Sequence, residues 1–156
     1  MSAARIDIRR EMPLLARHEG EWEGTYIYVD TDGKIIDRHR SHLSCTFPTE
    51  GEFPYLQINR YYWDDGRSEI IHFPARYADG RIWWDTERIR GWATSVPIDT
   101  ESRTTMLMWV RKDMPDIYLY EMIQISADNQ KRGRTWHWFR NDELYQRTII
   151  QERRVG

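Results

Sequence analysis

The chain has 156 residues, a formal net charge of -2 and a single cysteine, Cys45. That length is one domain, 1-156, able to bury a core without staples. One cysteine excludes an intrachain disulfide framework and zinc-ligand spacing, so a reducing, cytoplasmic setting is expected. Basic residues spread along the whole chain leave no footprint for nucleic acid, and no apolar run approaches the length that inserts into a membrane.

Residues 1-19 form a lead-in. Arg5, Arg9, Arg10 and Arg17 break up any apolar core of a secretion signal, and Pro13 interrupts a regular helix among Ile6, Ile8, Met12, Leu14 and Leu15. A short helix or plug at one end of the fold is expected. From Gly20 the period changes to two: Trp22, Gly24, Tyr26 and Tyr28 alternate with Glu21, Glu23, Thr25, Ile27 and Val29. Asp32-Gly33 supplies a hairpin turn into a second strand over 34-47, followed by a loop from Pro48 to Pro54. Further strands are expected at 55-63, at 69-76 with an end near Pro74, at 81-85, 89-96, 104-112 and 117-126. A polar loop over 127-133 then leads to a last hairpin, 134-140 and 143-153, turned at Asn141-Asp142. The abundance of Trp and Tyr suits two-faced strands. The fold class is therefore all-β, a single antiparallel up-and-down barrel of eight to ten strands, closed so that no edge is exposed.

Gly20-x-Trp22 at the opening of the first strand, with an arginine near the end of the last, resembles the calycin superfamily, which includes lipocalins, fatty-acid-binding proteins and nitrobindin. The resemblance implies a closed barrel end where a last-strand arginine packs over the tryptophan ring. Here Trp22 would take Arg147 or Arg153. The wider pattern, with Trp63-Asp64-Asp65-Gly66-Arg67 and Thr135-Trp136-His137-Trp138-Phe139, is similar to an uncharacterised lipocalin-like family of bacterial proteins. The C-terminal helix of the longer lipocalins is absent from the pattern. A nitrobindin-like haem would need a late histidine, and His137 is the one candidate; no cofactor and no metal is expected.

If Trp22 points inward, Gly24, Tyr26 and Tyr28 follow. On the second strand the more apolar face puts His39 and Ser41 inside, whereas the opposite register would line an anion site with Arg38, Arg40 and His42. The third strand carries Gln57, Asn59, Tyr61 and Trp63 on one face, costly in a dry core but suited to a cavity; solvent exposure suits them equally. His72 lies alone on the fourth. On the eighth strand Glu121 interrupts an apolar row, Ile117, Leu119, Ile123 and Ile125, where burial would favour a proton on its carboxyl, as a general acid requires. The competing face would put Tyr118, Tyr120 and Met122 inside instead. His137, on the neighbouring strand, would partner Glu121 if the register allows.

No Gly-rich phosphate loop, His-Glu-x-x-His or Gly-x-Ser-x-Gly motif is present. Two readings share one cavity. In the first, the barrel binds a hydrophobic or aromatic small molecule through Tyr26, His39, Gln57, Asn59, Tyr61, His72, Tyr120 and His137. In the second it is a cofactor-independent lyase, isomerase or cyclase, with Glu121 and His39 as acid-base groups. A filled, purely structural barrel is the third. Adjacent Trp83 and Trp84 cannot both face inward, which makes a homodimer the other expected partnership.

Overall fold

A computed structural model describes residues 6-156, so the first five residues of the expected lead-in lie outside it. Two four-residue helices, α1 (Ile8–Glu11) and α2 (Pro13–Ala16), precede ten strands. These are β1 (Gly20–Asp30), β2 (Ile35–Thr46), β3 (Tyr55–Tyr62), β4 (Ser68–Ala78) and β5 (Arg81–Asp85), then β6 (Ile89–Val96), β7 (Thr104–Arg111), β8 (Ile117–Ile125), β9 (Lys131–Arg140) and β10 (Glu143–Val155). Each strand pairs antiparallel with the next, and β10 returns to β1, closing the barrel. Closure satisfies the backbone groups that an open meander would leave on two edges.

Pro13 occupies the first turn of α2, where its missing N–H has no partner to lose. Ile8, Met12, Leu14 and Leu15 are buried, and the lead-in is tied to one barrel end. Trp22 Nε1 donates to the His18 carbonyl, Arg154 donates to the carbonyls of Arg17 and Glu19, and Arg17 bonds Asn129 of the β8–β9 loop. This is the closed end. At Gly24 a Cβ would collide with the Gln151 carbonyl oxygen, so glycine lets β1 and β10 approach at the seam.

The strand phases follow burial. Trp22, Tyr26, Leu43, Ile82, Leu119, Ile125 and Ile150 are fully enclosed, each contributing about 1.5–3 kcal/mol of apolar transfer. Several boundaries differ from expectation, and two of the differences have a plain physical cause. β4 continues through Pro74 to Ala78, because pairing with β5 begins only at Ala75 and Pro74 has β3 as its single neighbour, an edge-like setting that tolerates proline. β9 begins at Lys131 rather than 134, since β10 is long enough to pair with Lys131, Arg132 and Gly133. Of the adjacent tryptophans, Trp84 is buried and Trp83 is 38% exposed, leaving one partly exposed indole as the surface behind the homodimer expectation.

Candidate functional site

The closed end is built on charge. Trp22 is sandwiched between the guanidinium groups of Arg132, 4.4 Å from the ring centroid, and Arg154, 4.5 Å away. The cation expected from Arg147 or Arg153 therefore comes from elsewhere. Arg153 is one residue out of phase and exposed, pairing with Glu23 on the outer surface, while Arg147 sits opposite Val29 near the other end.

Above this lies a buried ion network. Arg132 Nε donates to Glu152 at 2.7 Å, Arg134 Nε to Glu121 at 2.6 Å, and Arg134 Nη1 to the Tyr26 hydroxyl at 2.9 Å and to Glu152 at 3.3 Å. Two arginines and two glutamates thus balance inside the barrel. Burial disfavours the Glu152 charge, but Arg132 and Arg134 outweigh it and hold its carboxyl below the ordinary value. His18 Nδ1 faces Arg132 at 3.0 Å and must accept, so Nε2 carries the hydrogen. Burial, followed by the positive charges of Arg132, Arg134, Arg154 and Arg17, pushes His18 well below its usual range.

Glu121 faces inward, as one of the two open registers had it, but it is not an isolated carboxyl. Arg134 occupies one of its oxygens, and its apolar strand neighbours continue as a wall. The argument for a protonated, catalytic Glu121 assumed no such partner.

Toward the opposite end, where the β1–β2, β3–β4, β5–β6, β7–β8 and β9–β10 turns gather, the interior opens into a cavity of about 150 Å³. Its walls are largely aromatic: Tyr28, Trp63, Phe73, Trp109, Trp136 and Trp138. Glu121 and Arg134 line its inner part, and Glu69, Arg88 and Arg111 belong to strands and turns of the open end. Glu69 pairs with Arg88 at 2.9 Å and Arg111 with Asp113 at 2.7 Å.

His39, Gln57, Asn59, Tyr61 and Glu121 all line this space. The polar residues of β3 satisfy one another along a single strand face: Tyr55 donates to Gln57 at 3.1 Å, Gln57 to Asn59 at 2.8 Å and Asn59 to Tyr61 at 2.7 Å. Spacing of two residues makes the ladder, and it removes the desolvation cost expected of an inward Gln-Asn-Tyr series. Tyr26 is interior but lies behind His39, their rings stacked with centroids 5.0 Å apart.

Three expected site residues point away. His72 is exposed beside Ile58 on the outer face. Tyr120, 46% exposed, and His137 are paired with each other across β8–β9 on the outside. The reason is alternation: Glu121 inward forces Tyr120 outward, and inward Trp136 and Trp138 force His137 outward. The late histidine that a nitrobindin-like haem would require is therefore unable to reach the interior.

His39 is the best-defended polar group in the cavity. Its Nδ1 lies 2.8 Å from Asp37 Oδ2, and Asp37 also accepts from Trp63 Nε1 at 3.1 Å. Trp63 covers the imidazole at 4.4 Å, held there by the Asp64-Asp65-Gly66-Arg67 turn, whose Arg67 lies over the Trp63 ring. Nε2 of His39 is buried with no partner, and so is Nε1 of Trp136. The other buried indoles, Trp22, Trp84 and Trp138, each donate a hydrogen bond. Asp37 and Trp136 were not among the expected site residues. Asp37-x-His39, two apart on one strand, was the readable signal for the first; nothing in sequence distinguishes Trp136 from its neighbours.

No family model matches the chain and no curated protein matches it significantly. Among solved structures, the S-type phycobiliprotein lyase CPES from Guillardia theta superposes with a TM-score of 0.67 at 14% identity, covering 97% of this chain and 94% of that one. A DUF3598-family protein of unknown function from Nostoc punctiforme gives 0.67 at 14% identity; this chain spans about half of it, 49%. Rv2717c from M. tuberculosis gives 0.63 at 11% identity, covering 94% and 98%. Such likeness shows the fold alone: a closed antiparallel barrel, here of ten strands with an aromatic-rich cavity at its open end.

Proposed function

We propose that the barrel binds a small hydrophobic or aromatic molecule in the open-end cavity. The observation that carries this reading is that, of the buried side-chain atoms without a partner among the described residues, His39 Nε2 and Trp136 Nε1 are the two that belong to residues lining this cavity. A folded interior rarely leaves such atoms unsatisfied, and a polar group on a bound molecule would satisfy them. A void near 150 Å³ takes a ligand the size of one aromatic ring.

Nitrobenzene provides the test. Calorimetric titration is expected to show saturable one-site binding, with NMR shifts among the indole signals of the cavity-lining Trp63, Trp84, Trp109, Trp136 and Trp138 and not in those of Trp22, Trp83 or Trp92. Absence of saturation would sink the reading. Acid-base chemistry on the same ligand is the second reading, favoured by the Asp37–His39 pair. In that reading His39 handles the proton, and the ion-paired Glu121 keeps a structural role.

A further inference from the structure

We infer that the cavity selects a ring bearing an acidic hydroxyl, a phenol or enol, and takes its proton onto His39 Nε2. This rests on the small-molecule reading and names the ligand class within it. An ionised carboxylate only accepts hydrogen bonds, so the hydrogen between Asp37 Oδ2 and His39 Nδ1 belongs to the histidine. With that hydrogen on Nδ1, the neutral form of the imidazole presents Nε2 as a lone pair, buried and without a donor among the described residues. Its complement on a ligand is an O–H. Trp136 Nε1 is a donor in need of an acceptor, and an oxygen that has lost its proton is a strong one.

The charges around the imidazole favour the transfer. Asp37 is the carboxylate in contact with it, and among the described residues no arginine or lysine pairs with Asp37. The remaining charged groups lining the cavity are matched: Glu69 on β4 with Arg88, Arg111 on β7 with Asp113, and Glu121 on β8 with Arg134 on β9. The other rings against His39 are Tyr26, Tyr28, Tyr61 and Trp63. In the step, the ligand O–H bond breaks, its electron pair stays on oxygen, and the proton forms a bond to Nε2. The imidazolium is held by Asp37 through Nδ1–H, and Asp37 is fixed by Trp63 Nε1. Net charge in the cavity is unchanged.

The experiment uses three one-ring probes on the whole protein: nitrobenzene, para-nitroanisole and para-nitrophenol, in buffer about one unit below the pH at which the free phenol is half ionised. Bound para-nitrophenol is expected to show the visible phenolate band, and to bind about tenfold more tightly than para-nitroanisole, as one charge-assisted hydrogen bond provides. In Asp37→Asn the phenolate fraction of bound probe is expected to fall several-fold, and in His39→Phe the band should vanish. Phenol bound in its neutral form by the native protein would overturn the inference, as would a phenolate band that survives His39→Phe. The anisole comparison needs no variant, so a variant that fails to fold does not blunt the test. If nitrobenzene binds and the phenolate band is missing, the inference alone fails; if no probe binds, the reading beneath it fails too.

Discussion

Glu152 accepts hydrogen bonds from both interior arginines, and removing its charge strands Arg132 in a medium that solvates it poorly and leaves Arg134 with Glu121 alone. Glu152→Gln is expected to lower the urea unfolding free energy by about 3–5 kcal/mol. Glu121→Gln should cost the same order through Arg134, so any loss of binding in that variant has to be separated from lost stability by its unfolding curve. His18 adds a pH term. In the fold it stays neutral, because burial and its arginine neighbours depress its pKa below the ordinary 6.5. Below that pH the unfolded chain takes up a proton that the folded chain refuses, and stability falls as pH drops. Glu152, also depressed, adds a second loss below its ordinary 4.5. The urea midpoint is therefore expected to decline across roughly pH 7 to 5. In His18→Gln, whose amide oxygen can still accept from Arg132, that part of the decline should flatten.

The seam between β1 and β10 is sensitive to a single atom. Gly24→Ala places a methyl against the Gln151 carbonyl and the Glu152 side chain. Forcing the two strands apart there is expected to cost about 1–3 kcal/mol, read as a lower thermal midpoint. The phase of β1 was legible from its sequence because Trp22 stands between Glu21 and Glu23, and Tyr26 and Tyr28 follow in the same period of two. β10 was not: Ile149 and Ile150 put an apolar side chain on each face, so alternation could not choose between Arg153 and Arg154. The start of β9 was hidden for a related reason, since Lys131-Arg132-Gly133 reads as solvated loop and only pairing with a long β10 makes it strand. On β8 both registers carried enough apolar surface to be inside. The deciding fact, a guanidinium waiting on β9 for Glu121, is a contact between strands that local pattern does not encode. Gln57, Asn59 and Tyr61 shared a face legibly, but their mutual hydrogen bonds follow from side-chain conformation.

At the scale of the whole molecule, the barrel divides its interior between a charged, filled half and an aromatic half with space. No helix among the described residues is long and apolar enough to cross a membrane. A ligand that enters the open half binds the fold and not the unfolded chain, so it should stabilise by mass action. Nitrobenzene at about a hundred times its dissociation constant is expected to add about 2.7 kcal/mol, visible as a rise in thermal midpoint. A flat midpoint would place the probe on the surface or nowhere. The cavity walls also endow the protein with an optical instrument of its own. Trp109 and Trp136 stand 5.3 Å apart at 89°, and Trp136 and Trp138 5.9 Å apart at 55°. Indoles this close and this skewed share their excitations, so the native fold should carry a chiral near-ultraviolet signature. A ligand that turns Trp136 by a few degrees would then rewrite that signature without any label attached.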